Sequence, residues 1–286
     1  MTSKFSIPLN TESKFIFSTS GSYSSIEKYN TAFDRLGLNL VYFTFPDNIT
    51  AETYAGLLKS PICRGGAVTG KGGLKTNIIP FLDEVDILAK ETLAVNTVVN
   101  KGGKLYGYNT DTFGLKVALE RGLKTFSTQV KTAAIYGNGG VSGVAFKVLQ
   151  DLGIQTTIIG RDPQKVLAKR KELGIEQIPH FEGPYDLIVD ATPISSSPDF
   201  LKATAFENLL QGCKMIFCHN MPEKDGKTNY LLEYCQQQGI PYIPGKWMYQ
   251  AQLIKQYSLF FEGLTHTDGI HPISEEDIIE AWQLEK

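Results

Sequence analysis

The chain has 286 residues, 42% hydrophobic and 20% charged, and its 28 basic side chains against 30 acidic ones give a net charge of -2. Such a composition belongs to a folded globular protein of about two domains and excludes collagen, coiled coil and disordered tail. The near-neutral balance supplies no field to gather a polyanion, so a nucleic-acid partner is not expected, and no run reaches the roughly 18 apolar residues of a membrane span.

Residues 14–18 (KFIFS) predict a strand, and after a Gly/Ser loop Ile26, Tyr29, Phe33 and Leu36 fall on one face of a helix ended by Gly37. A strand over 40–45 closed by Pro46, a helix over 51–58 and a strand over 66–69 follow. This alternation implies a parallel sheet. A Gly/Lys-rich loop at 70–75 leads into a helix expected around 78–88, and Lys101-Gly102-Gly103-Lys104 between 97–99 and 105–108 reads as a hairpin turn. The polar stretch 122–131 is the candidate boundary. Beyond it the pattern restarts with a strand over 133–136, a Gly-rich turn, a helix over 141–152 and a strand over 156–159. Buried strands at 187–189, 214–217 and 242–243 extend this into a second, doubly wound sheet. An amphipathic helix over 249–261 and, after Pro272, a capping sequence from Ser274 into a helix with Ile278, Ile279 and Trp282 form the tail. Two helices without a strand cannot make a domain alone, so they are expected to pack back across a cleft.

Cys63, Cys213, Cys218 and Cys235 form no CxxC, and His180, His219, His266 and His271 show no paired metal spacing. Cys213, Cys218 and His219 come nearest to a cluster, but the apolar run between them reads as a buried strand. No metal is expected, and the thiols read as buried groups in a reducing cytosol. The opening MTSKFSIPLNTESKF lacks the apolar segment of a signal peptide, so a cytoplasmic protein is expected.

Gly137, Asn138, Gly139 and Gly140 follow an apolar strand and open a helix, the context a dinucleotide fingerprint requires. Glycines there permit a tight turn and a close approach of backbone to pyrophosphate, and the helix start offers unpaired N–H groups to it. The next strand ends at Arg161, with Lys165 one turn later. Cations at that edge suit the 2′-phosphate of NADP, whereas Asp162 would favour the ribose hydroxyls of NAD, so NADP is the leading expectation and NAD the alternative.

Asn96-Thr97 followed by Gly107-Tyr108-Asn109-Thr110-Asp111, ahead of such a fingerprint, resembles the shikimate/quinate dehydrogenase family. Tyr29-Asn30 through Gly37-Leu38-Asn39, Val68-Thr69, Leu82-Asp83-Glu84, and Gly245 with Met248 and Gln252 carry the likeness along nearly the whole chain. The resemblance implies an α/β fold of two domains. A substrate-binding catalytic domain would comprise residues 1–112 completed by 250–286, and a Rossmann-type NADP-binding domain residues 113–249, with a cleft between them. It further implies reversible reduction of 3-dehydroshikimate to shikimate, or of a close cyclic polyol carboxylate, by a monomer or homodimer. Lys75 and Asp111 would form the catalytic pair. A positioned lysine can relay the hydroxyl proton as hydride leaves the carbinol carbon. Since a free lysine titrates near about 10.4 and a carboxylate raises this further, Asp111 is read as orienting Lys75 and the substrate hydroxyl.

The lysine rests on register. The family pattern Val-Thr-x-Pro-Phe-Lys meets Val68-Thr69-Gly70-Lys71-Gly72-Gly73-Leu74-Lys75. Counting back from Asp83 selects Lys75, and Lys71 is the alternative. By the same resemblance Asn96, Asp111 and Gln252 would bind substrate hydroxyls, and Ser22 and Ser24 the carboxylate, with Ser25 the alternative when counted back from Asn30. Gly137, Asn138, Gly139, Gly140, Arg161, Lys165, Gly245 and Met248 would bind the cofactor. Tyr29 stands where the family has histidine, Asp190 where it has asparagine, Asn220 where it has tyrosine and Trp247 where it has glycine, departures that suggest a divergent member. A bulky indole at 247 is expected to narrow the nicotinamide pocket. Competing readings are quinate dehydrogenase with NAD, a folate-type methylene dehydrogenase, and a non-catalytic nucleotide or metabolite binder.

Overall fold

The computed structural model describes residues 7–45, 49–69, 73–175, 184–202, 204–267 and 269–285. The chain divides into two compact units, Met1–Thr110 with Leu253–Lys286, and Asp111–Gln252.

In the first unit β1 (Lys14–Ser18), α1 (Tyr23–Arg35), β2 (Leu40–Thr44), α2 (Ala51–Leu58) and β3 (Cys63–Ala67) alternate as read from the sequence. Next come α3 (Leu74–Asn77), a 3-10 turn at Ile79–Phe81, β4 (Glu84–Val85), α4 (Ile87–Thr92) and the antiparallel hairpin β5 (Thr97–Lys101) and β6 (Lys104–Tyr108). The sheet order is β2-β1-β3-β5-β6-β4, and β5 runs antiparallel to β3. The three alternating strands pair in parallel, as the alternation implied, and the hairpin makes the whole sheet mixed. A tight two-glycine turn can join β5 to β6 only as an antiparallel pair.

The single helix expected at 78–88 does not form. Pro80 carries no amide hydrogen to continue a helix. Asp83 then exchanges backbone and side-chain bonds with Leu105 at 2.9 and 2.8 Å, which draws the chain against β6 as β4. Asp86 restarts a helix by accepting from the Ala89 amide at 2.7 Å.

One core of this unit gathers Tyr54, Leu58, Ile78, Val95, Val98 and Leu105. An aromatic cluster forms another: Tyr29 of α1 lies 4.3 Å from Tyr42 and 5.5 Å from Tyr257, whose ring is 4.5 Å from Trp282. Tyr29 thus has a packing role where the family pattern places histidine. Asn30 staples α1 to β2, donating to the Ile26 and Tyr42 carbonyls at 2.7 and 2.9 Å and accepting from the Tyr42 amide at 2.9 Å. Asn30→Ala would remove these three bonds, at a cost of about 2 kcal/mol. The expected readout is a lower urea midpoint with unchanged slope.

The second unit opens within α5 (Thr110–Thr125) and continues through β7 (Thr132–Tyr136), α6 (Gly140–Asp151), β8 (Gln155–Ile159), α7 (Pro163–Glu172), β9 (Leu187–Asp190), α8 (Thr204–Leu210), β10 (Met215–Cys218), α9 (Tyr230–Gln238), β11 (Tyr242–Pro244) and the start of α10 (Gly245–Phe261). The last helix, α11 (Glu275–Ala281), belongs to the first unit, where the Ala281 carbonyl accepts from Arg35 at 2.7 Å. The sequence pattern marks 122–131 as polar, and its first residues form the last turn of α5.

The five strands run parallel in the order β11-β10-β9-β7-β8. Leu115, Val144, Val148, Val166 and Met248 pack on one face, and Phe206, Leu209, Leu231 and Cys235 on the other. This is a doubly wound layer set. From β7 the chain crosses to β8 on one side and returns to β9 on the other, so the switch in strand order falls between β7 and β9. In such sheets ligands bind at the carboxyl ends flanking that switch.

Candidate functional site

In the first unit, polar groups collect at the carboxyl ends of β1, β3 and β6 and the start of β5. Thr19 donates to the Thr69 carbonyl and accepts from its amide, both at 2.8 Å, and the Ser20 and Thr69 hydroxyls lie 2.8 Å apart. Ser22 caps α1, accepting from the Ser25 amide at 3.3 Å, and its hydroxyl lies 2.7 Å from that of Ser24 and 3.2 Å from that of Ser25. Both sequence alternatives for the second serine therefore sit beside Ser22, which itself has a capping task.

Lys75 lies in α3, half-buried. Gly73 caps that helix in the left-handed region at φ 77°, a conformation glycine adopts without steric cost. Lys71 lies outside the described residues. The Lys75 carbonyl accepts from the Val95 amide at 2.8 Å, and Thr76 donates to the Leu93 carbonyl at 2.8 Å, docking α3 on the segment that leads into Asn96.

Asn96 is 4% exposed. Its Oδ1 accepts from the Thr110 amide and the Thr97 hydroxyl, each at 2.9 Å, and its Nδ2 lies 3.0 Å from Thr110 Oγ1. These bonds fix the first residue of α5, and Asp111, half-buried, follows it. Gln256, which motif reasoning passed over, is buried and donates to Thr97 Oγ1 at 2.8 Å and to the Asn96 carbonyl at 3.3 Å. The signal available in the sequence was a glutamine one turn after Gln252 on a face otherwise made of Leu253, Tyr257 and Phe260.

In the second unit, the Gly137 amide donates to the Ile159 carbonyl at 2.8 Å, and its φ of 125° lies where L side chains are strained. A Cβ there would also meet Thr192 Cγ2 at 2.9 Å and the Ala191 carbonyl at 3.2 Å. Gly139 caps α6 with no side chain, and a Cβ on Gly139 or Gly140 would meet only open space. Asn138 is half-exposed beside them. The helix start is thus bare backbone facing room for a ligand.

At the end of β8, Asp162 accepts from the Gln164 and Lys165 amides at 3.0 and 3.2 Å as the cap of α7. Lys165 Nζ stands 3.7 Å from its other oxygen. The acid that argued for NAD is occupied at its own helix, while Arg161 and Lys165 face solvent.

Gly245 and Met248 hold packing positions. A Cβ on Gly245 would meet the His219 and Cys218 carbonyls at 2.5 and 2.7 Å, and Met248 is 3% exposed in the core. Gly114, one turn after Asp111, lets α5 approach α10, where its Cβ would meet the Met248 carbonyl at 2.5 Å and Gln252 Cβ at 2.7 Å. Trp247 packs against the same core, with the Arg121 guanidinium 4.2 Å over its ring. Asn220 donates to Ser195 Oγ at 2.9 Å. Asp190 is fully buried, and burial pushes its carboxyl up to about 6, against bonds from Thr192 and Cys218 that pull it down.

No family model matches the chain. A shikimate dehydrogenase (NADP(+)) of Bacillus cereus is 32% identical over 185 residues, covering 59% of this chain and 64% of the relative. One from Halothermothrix orenii is 37% identical over 188 residues, covering 59% and 63%. The chain thus spans less than two thirds of the length of the curated relatives it matches. Among solved structures, a shikimate dehydrogenase in complex with NADP+ is 25% identical with a TM-score of 0.69, covering 98% of each chain.

Proposed function

We propose that the chain belongs to the shikimate dehydrogenase family and catalyses the NADP-dependent interconversion of 3-dehydroshikimate and shikimate, or of a close cyclic polyol carboxylate. The observation that carries the reading is the bare glycine turn at the switch point of the second sheet, flanked by the exposed cations Arg161 and Lys165. These residues fit NADP: Gly139 and Gly140 would hold the pyrophosphate on backbone amides, and Arg161 with Lys165 the 2′-phosphate. When bound, the nicotinamide supplies the hydride acceptor or donor.

The remaining work falls to the chain's own side chains. In the reducing direction we assign the proton that completes the new hydroxyl to the Lys75 ammonium, which regains one from solvent, and oxidation runs the same relay in reverse. Asp111 is assigned to orient that lysine and a substrate hydroxyl. Asn96 supports the assignment by holding Thr110, and with it the first turn of α5. The serine hydroxyls at Ser22, Ser24 and Ser25 suit a carboxylate.

Initial rates with shikimate and quinate, each paired with NADP+ and NAD+, test the proposal through absorbance of the reduced nicotinamide. Shikimate with NADP+ is expected to be the fastest pair. Tight NADP+ binding without turnover of either acid would favour a non-catalytic binder. Arg161→Ala is expected to weaken NADP+ about tenfold or more while leaving NAD+ within about twofold, because the lost contact meets only the 2′-phosphate. A titration by tryptophan fluorescence or calorimetry reads both affinities.

A further inference from the structure

Asp190 ends β9, and beneath the glycine turn its segment fills the space that a Gly137 side chain would need: Thr192 Cγ2 and the Ala191 carbonyl line it. The carboxylate is fully buried. Its Oδ1 accepts from the Thr192 amide at 3.0 Å and hydroxyl at 2.6 Å, and Cys218 Sγ stands 3.5 Å from Oδ2. Among the described residues these are its hydrogen-bond partners, and none is a cation. A charge placed here lacks the compensation that buried carboxylates need.

The groups around it leave the proton with Asp190. Tyr136 on β7 and Cys218 on β10 are its register partners. Burial raises both above their ordinary values, the Cys218 thiol to about 12. Tyr242 on β11, bonded to Cys218, is raised as well. The His219 amide donates to the Asp190 carbonyl at 3.0 Å, so its imidazole is the neighbour that a control must separate. Arg161, at the end of β8, acts on Tyr136.

We propose that nucleotide binding at the glycine turn is coupled to proton uptake by Asp190. The inference rests on the cofactor reading above. Phosphates set against the amides of Gly139 and Gly140 bring negative charge to the same strand ends, and a like charge disfavours ionisation of a buried carboxyl. By linkage the protonated protein binds the dinucleotide more tightly, and affinity declines as pH rises past the Asp190 titration. This makes Asp190 a positioning residue whose charge state tunes the turn above it.

The probe is NADPH, whose reduced ring carries no charge to offset the phosphates. Calorimetric titration near pH 6.5, in buffers of different ionisation enthalpy, counts protons taken up per nucleotide bound. Wild type is expected to take up a fraction of a proton more than Asp190→Asn, and the wild-type to variant affinity ratio to fall about tenfold between pH 5.5 and 8 for a one-unit rise. The 2′-phosphate titrates in both proteins and cancels in the comparison, and His219→Gln is expected to keep the wild-type count. Should Asp190→Asn fold poorly, the side-chain carboxyl 13C shift of Asp190 in wild type reports its titration directly, moving to higher pH on adding NADPH. Equal proton counts in wild type and Asp190→Asn, or an unmoved carboxyl titration with NADPH bound, would overturn the coupling while leaving the cofactor reading intact. Absence of any NADPH binding would overturn both.

Discussion

Lys75→Ala is expected to lower kcat for shikimate oxidation by about 10²- to 10⁴-fold, the usual worth of a positioned proton-transfer group, with a much smaller change in KM. The substitution removes an ammonium side chain from α3 and keeps the bonds of the Lys75 carbonyl to the Val95 amide and of the Thr76 hydroxyl to the Leu93 carbonyl. Folding should therefore be retained, and circular dichroism with NADP+ affinity checks that it is. Added small primary amines are expected to restore part of the rate, which a purely structural loss would not allow. Asp111→Asn should lower kcat in the same direction, because an amide orients a cation poorly. Unchanged turnover in Lys75→Ala would move the proton to Lys71 or remove the lysine–aspartate pair from the mechanism.

Asp190→Asn is expected to stabilise the second unit at neutral pH. The carboxyl titrates at about 6 in the fold against 3.8 for the ordinary group. The native state therefore holds its proton over a range where the unfolded chain has released it. Stability falls as pH rises from about 4 to about 6 and stays reduced above that, by about 3 kcal/mol for a shift of this size. An asparagine keeps an oxygen for the Thr192 bonds and carries no charge. Urea unfolding followed at pH 8 should show the variant more stable, with the gap closing toward pH 4.5. A variant less stable than wild type at pH 8 would mean that the ionised carboxylate is compensated by interactions beyond Thr192 and Cys218.

The second sheet was legible because its strands are continuous apolar runs bounded by turn residues, Leu187 to Val189 and Met215 to Phe217 among them, and such runs are buried on both faces of a parallel sheet. The first unit was less so. Residues 78–88 carry helical spacing, but the bonds between Asp83 and Leu105 join positions far apart in sequence, and no local pattern announces them. Pro80 was the local warning. The antiparallel turn of β5 was implicit in the hairpin yet masked by the strand-helix alternation before it.

At the candidate site the structure adds local tasks to residues that the motifs singled out. Asn96 and Ser22 were marked by resemblance as ligands, and the structure gives both local work, on Thr110 and on α1. Gln256 lay outside any motif and emerged only from its bonds to Thr97 and Asn96. Trp247, expected to crowd a pocket, is packed on a core under Arg121, a contact between α5 and α10 that spacing alone does not reveal. Asp162, the acid that favours NAD in the sequence, also caps α7, a task that only its bonds to the Gln164 and Lys165 amides disclose.

Direct transfer of hydride between a nicotinamide and a secondary alcohol carbon is the claim on which the rest depends. NADPH carrying deuterium at the transferred C4 position, incubated with 3-dehydroshikimate and the full chain, tests it by mass spectrometry of the product. Shikimate heavier by one deuterium is expected, formed at a rate that collapses in Lys75→Ala. Unlabelled shikimate, or no product while NADPH remains bound, would contradict it.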